Sequence, residues 1–137
     1  MAKKTWKEKL HNGKEPEVGI MNRRVSGVES GGKMLIPTPL QVDEYIRTIP
    51  QGVDRSREEM GLDLARAAGA DISCPMCTGI FLRIASENAY EEISSGKPVE
   101  DVTPFWRMIP PKAPIRKKLT FGTDLIDRLR REEGLPV

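Results

Sequence analysis

Two cysteines and one basic run are the features of this 137-residue chain whose residue types and spacing suggest chemistry. Cys74-Pro75-Met76-Cys77 is a C-x-x-C pair at an expected helix start, where the helix dipole lowers a thiol pKa. Such a pair can do redox work, or one thiol can accept an alkyl group. No thioredoxin-type strand pattern precedes it, and the sole histidine, His11, is remote in sequence. A four-thiolate zinc site needs a second cysteine pair, so neither a metal nor another cofactor is expected. Buried structural thiols are the commoner outcome for cysteines of this kind.

The basic run is Arg107, Lys112, Arg116, Lys117 and Lys118, with no acid between them. The chain's net charge of +2 conceals a division: residues 1–24 carry +4, residues 25–104 carry −6 and residues 105–137 carry +4. Cations spaced in this way neutralise phosphates and release their counterions. A solvated loop is the ordinary reading of a charge run taken alone. Hydrophobic residues at 38% and charged residues at 31% suit a single globular domain. No apolar stretch approaches the ~20 residues of a membrane helix, and the basic N-terminus lacks the apolar core of a signal peptide. A cytoplasmic location without membrane contact is the expectation.

The elements that must position these residues follow from capping and periodicity. Residues 1–32 are polar and broken by Asn12-Gly13 and Gly31-Gly32. They read as a partly flexible N-terminal extension in which Trp6 and Leu10 could dock as one helical turn. The domain proper spans 33–137 and opens with a short strand, KMLIPTP (33–39). Thr38 and Gln41 form a capping box for a helix with Val42, Tyr45, Ile46 and Ile49 on one face, ended by Pro50. Ser56 and Glu59 form a second box, opening a helix with Met60, Leu64, Ala67 and Ala68 that stops at Gly69. A third helix runs from about Pro75 to Glu92, with Ile80, Phe81, Ile84, Ala85 and Asn88 facing the core. Residues Thr103–Ile109 read as a strand closed by Pro110-Pro111, and a last helix starts near Thr123 or Asp124, buries Leu125, Ile126 and Leu129, and ends at Gly134. The predicted class is mostly α with a small β component. Two consecutive helices followed by strand-like segments suggest a winged helix-turn-helix.

Four segments resemble, in order, the DNA-binding domain of the alkylguanine-DNA alkyltransferase family. TPLQVDEYIRTIPQG (38–52) is similar to that family's opening helix, T-P-F-Q-x-x-V-W-x-x-L-x-x-I-P-x-G. Residues 56–90 match as two helices after an insertion between Gly52 and Pro75. TPFWRMI (103–109) resembles I-P-C-H-R-V-I, and KLTFGTDLIDRLRREEGLP (118–136) resembles the closing G-Y-x-G-G-x-x-x-K-x-x-L-L-x-x-E-G. The resemblance covers residues 34–136. It puts Phe105 and Trp106 at the family's reactive cysteine and its histidine, while Pro104 and Arg107 match. Neither aromatic side chain can accept an alkyl group or move a proton. The alkyltransferase-like proteins also substitute the cysteine, and they bind alkylated DNA and flag it for excision repair.

The resemblance further places Arg83 at the arginine that fills the gap left by a rotated base. A second register, anchored on Pro75, puts Gly79 there instead. Gly122 is retained in the closing segment, whereas Phe121 and Leu119 stand at its first glycine and its tyrosine. Aromatic residues at 105 and 106 could stack on an unstacked base, and strand alternation predicts one facing in and one out. Glu87, Glu91 and Glu92 lie in the C-terminal half of the same helix. The expectation is a non-enzymatic protein recognising damaged or alkylated double-stranded DNA. Its contact residues would be Arg83, Phe105, Trp106, Arg107, Lys112, Arg116, Lys117 and Lys118, and excision-repair proteins would be its partners. The alternatives are a thiol-dependent enzyme at Cys74 and Cys77, and a protein-interaction module that has lost DNA binding, as the −6 balance of residues 25–104 allows.

Overall fold

The computed structural model describes residues 4–137. Its first element is a short helix, α1 (Trp6–Leu10), closed by a reciprocal capping box. The Thr5 hydroxyl accepts from the Glu8 N–H at 3.1 Å, and the Glu8 carboxylate accepts from the Thr5 N–H at 3.0 Å. Leu10 is buried and ties α1 down, chiefly against the long helix described below. Strand β1 (Glu17–Ile20) pairs antiparallel with β2 (Lys33–Ile36), Glu17 opposite Ile36 and Ile20 opposite Lys33. The boundary at residue 32 therefore falls inside a hairpin. All four residues of β1 are exposed, so the strand has no inside–outside alternation that periodicity could register.

The two capping boxes read from the sequence start α2 (Pro39–Arg47) and α3 (Arg57–Ala67). Thr38 and Gln41 satisfy each other's backbone N–H groups, as do Ser56 and Glu59. Val42 and Ile46 of α2, with Ile49 just beyond it, enter the core. Tyr45 is half-buried and donates its hydroxyl to Asp63 of α3 at 2.6 Å. In α3 the buried residues are Met60 and Ala65, while Ala67 and Ala68 are exposed where the helix runs out at Gly69, φ 72°. Residues 68–74 lead back through β3 (Ile72–Ser73), which lies parallel to β2 and completes a sheet of order β1-β2-β3. The 20-residue helix α4 (Pro75–Ser94) follows, and α5 (Asp124–Glu132) closes the chain with Ile126 and Leu129 buried. The protein is thus mostly helical with one small sheet. Among the described residues no helix is long and apolar enough to cross a membrane.

Residues 103–109 do not form the expected strand. Phe105–Met108 is a 3₁₀ turn, preceded by Pro104 and followed by Pro110. Both prolines lack the N–H that a sheet ladder needs, and no neighbouring strand is at hand. With three residues per turn rather than alternation, adjacent side chains can both point inward. Phe105 and Trp106 are accordingly both buried, their rings edge-to-face at 5.4 Å.

The turn is held from the side by Arg130 of α5, which is fully buried. Its guanidinium donates to the Trp106 carbonyl at 2.9 Å, to Asp54 at 2.8 Å and to the Pro136 carbonyl at 2.9 Å. Replacing it with a side chain that cannot donate leaves three acceptors unmatched. Arg130→Met should lower stability by about 3–5 kcal/mol. Urea unfolding reads this as a lower midpoint at unchanged slope, and a loss under about 1 kcal/mol would refute the assignment.

Candidate nucleic-acid interface

The N-terminal half of α4 forms one wall of a groove of about 1020 Å³. α1 contributes Trp6 and Lys9 to it, the start of α3 contributes Arg57 and Glu58, and the loop between the 105–108 turn and α5 supplies the opposite wall. Apolar groups predominate in its lining, among them Ile80, Met108, Pro110, Pro111 and Ile115. Ile80 was expected in the core but is 50% exposed here, because Leu82, Ala85 and Ala89 present the face of α4 that packs inward. Among the described residues five cations line the same space, Lys9, Arg57, Arg83, Lys112 and Lys118, against one acid, Glu58, which pairs with Arg57 at 3.0 Å.

Arg83, Lys112 and Lys118 are the predicted contact residues that come together. Gly79, the alternative to Arg83 in the second register, lines the groove one helical turn earlier. Arg83 has unusual surroundings. Its Nε is the one buried side-chain nitrogen or oxygen among the described residues without a hydrogen-bond partner. The nearest carboxylate oxygen, Oε2 of Glu87, stands 3.8 Å away. Both oxygens of Glu87 are engaged by Thr120, through its N–H at 2.8 Å and its hydroxyl at 2.5 Å. The Arg83 guanidinium lies instead 5.3 Å from the Trp6 ring centroid, with the Lys9 ammonium 4.4 Å from the same ring.

The other predicted contacts are placed elsewhere. Lys117 is exposed but lies outside the groove. Arg116 donates to Asp127 at 2.8 Å and to the carbonyls of Ile109 and Pro110, so it braces its own loop. Phe105 is wholly buried, its ring edge-on to Phe121 at 5.7 Å, and Phe121 stacks on Tyr90 at 4.2 Å. Trp106 is buried and gives its indole N–H to Glu133 at 2.7 Å. Arg107 is paired with the same carboxylate at 2.9 Å and donates to the Ile49 carbonyl at 2.7 Å. As DNA contacts, Phe105, Trp106, Arg107 and Arg116 are therefore corrected: each is spent inside the fold. Residues 25–104 were acidic by count, yet Glu87 is buried and Glu92 is paired with Lys97 at 2.9 Å, away from the groove.

Sequence reasoning missed Lys9 and Arg57 and did not connect Trp6 with a site. The Thr5-x-x-Glu8 capping box was the available signal for α1. Nothing local marks Arg57, which reaches the α4 start by donating to the Pro75 carbonyl at 3.1 Å.

The cysteines are both free and half-buried. Cys74 caps α4, its Sγ accepting from the Cys77 N–H at 3.4 Å. Burial, followed by the hydrogen bond and charge of Cys74, pushes the Cys77 thiol up to about 11. Cys77 thus keeps its thiol proton to higher pH than an ordinary cysteine. No family model, no curated protein and no solved structure matches the chain.

Two consequences are measurable. Burial alone would raise the Glu133 carboxyl, but Arg107, the Gly52 N–H and the Trp106 indole outweigh it and hold it below its ordinary 4.5. A carboxylate depressed in the folded state stabilises above its unfolded value and loses that contribution as pH falls through the folded one. Stability should therefore hold from about pH 7 to about pH 5 and decline below, with a shallower acid limb in Glu133→Gln; unchanged acid limbs would contradict the assignment. At about pH 8 iodoacetamide should label Cys77 on the order of a hundredfold more slowly than a free peptide thiol. Peptide mapping checks this, and equal rates would overturn it.

Proposed function

We propose that this chain is a non-enzymatic DNA-binding protein that recognises damaged or alkylated double-stranded DNA and marks it for excision-repair proteins. The observation that carries the reading is the gathering of Arg83, Lys112 and Lys118, with Lys9, around one groove whose one acid among the described residues, Glu58, is paired with Arg57. Helix α3 and the N-terminal half of α4 take the parts of a helix-turn-helix, since recognition helices contact DNA through their N-terminal portion. The strands expected to follow these helices as a wing are replaced by the 105–108 turn, and the β1–β2 hairpin precedes them in the chain. Arg83, with a guanidinium nitrogen lacking a partner, suits a cation that enters the duplex where a base has rotated out. The four-segment resemblance to the alkyltransferase family supports the same reading. Alkyl transfer at positions 105 and 106 has no nucleophile to use.

Binding to a short duplex should weaken linearly with log salt. Arg83→Ala and Lys112→Ala should each reduce that slope by about one counterion, while Lys117→Ala changes it less. An O6-alkylguanine in the duplex should tighten binding, and Arg83→Ala should remove most of the gain. Retention no greater than that of an acidic control protein at any salt would sink the proposal. Intact-mass spectrometry with the same alkylated oligonucleotide tests the thiol alternative: an alkyl mass increment lost in Cys74→Ser would make the protein an enzyme.

A further inference from the structure

We infer that Trp6 is the stacking surface for one unpaired nucleobase held in the α4 groove, with the surrounding cations on its flanking phosphates. The inference rests on the nucleic-acid reading of that groove and deepens it. The two aromatics at positions 105 and 106 are closed inside the core, so neither can meet a base. Among the described residues Trp6 is the one aromatic residue lining the groove. It is half-exposed and carried on a capped helix anchored by buried Leu10, so the ring is held at a fixed wall.

The chemistry of the groove decides between occupants. A paired duplex presents phosphates outward and keeps its base faces stacked, so it satisfies cations but leaves the apolar lining wet. An unpaired base has two free π-faces, and its backbone carries a phosphate on each side. It matches an apolar lining whose exposed members include Met76 and Ile80, beside the cations Lys9, Arg83 and Lys112. The volume of about 1020 Å³ admits a nucleotide with its neighbours' phosphates. Lys9 and Arg83 already lie beside the ring at 4.4 and 5.3 Å. Cation–π contacts at half-exposed sites are weaker than base–aromatic stacking. An entering base therefore displaces a cation from the ring toward the adjacent phosphate, where the charge is better neutralised.

The test uses the whole chain and its own tryptophan emission. Trp106 is buried and hydrogen-bonded, so a ligand in the groove quenches Trp6 alone. The probes are a paired duplex, the same duplex carrying one unpaired thymidine, an oligothymidylate and an acidic peptide. Wild type should bind the unpaired-thymidine duplex roughly fivefold to a hundredfold more tightly than the paired one, with quenching. Trp6→Ala should lose that preference and keep paired-duplex binding within about twofold, the cations being intact. Trp6→Phe should keep most of the preference while losing the quench, which also guards against a folding defect in the alanine variant. If Trp6→Ala and Trp6→Phe both retain the full preference, or wild type binds without quenching, Trp6 is not the platform, and the duplex reading stands unharmed. Quenching by oligothymidylate with no paired-duplex binding keeps the platform and removes the duplex reading. Quenching by the acidic peptide alone overturns both.

Discussion

Glu133 joins three stretches of chain that are far apart in sequence. Its carboxylate accepts from the Gly52 N–H at 2.9 Å, from the Trp106 indole at 2.7 Å and from Arg107 at 2.9 Å. One residue position in the left-handed region, Gly52 at φ 80°, lets the chain after α2 turn its N–H toward that carboxylate. Arg130, one turn earlier on α5, clasps the other side of the same 105–108 turn. An ion pair this deep is stabilising only because the remaining donors and acceptors around it are matched. With Phe105 filling the space beneath, the turn becomes a rigid joint between α2, α4 and α5, and the loop that follows it is set down as one wall of the groove.

The same principle separates the cations that build the fold from those left over. Arg107, Arg116 and Arg130 each find a carboxylate and a backbone carbonyl, and all three side chains are at most 15% exposed. Lys112 and Lys118 are exposed, and neither forms an ion pair within 4 Å among the described residues. Arg83 is intermediate: its carboxylate neighbour is occupied by Thr120, and its ring neighbour offers only polarisable surface. Around the groove Arg57 pairs with Glu58 at 3.0 Å and Arg83 stands 3.8 Å from Glu87, so the cations left without an ion pair among the described residues are Lys9, Lys112 and Lys118; the low-dielectric walls strengthen their attraction for anions.

Much of the frame was legible from local signals. The capping boxes at Thr38 and Ser56 and the stops at Gly69 and Gly134 depend on residues within one helical turn of each other. The 105–108 turn was misread because a short apolar run between prolines has no period to separate strand from 3₁₀. The core side of α4 was partly misread because apolar residues stand on more than one of its faces; Ile80 is as apolar as the buried Leu82 two positions on. The basic run fared worse for a different reason. Arg107 and Arg116 meet acids 26 and 11 positions away, and no window of sequence reports such pairing. Of the run, Lys112 and Lys118 line the groove, Lys117 lies outside it, and Arg107 and Arg116 are engaged inside the fold.

The burial of Arg130 also bears on how quickly this protein reaches its native state. Its bond to Asp54 spans 76 positions, and the neighbouring Glu133–Gly52 bond spans 81. Helices α2, α3 and α4 can form from neighbouring residues, yet the turn at Trp106 has no acceptor for its indole and no clasp on its carbonyl until α5 arrives. Closing loops of that length costs entropy before any contact repays it. Contacts of this separation therefore raise the contact order of a chain that is otherwise mostly helical.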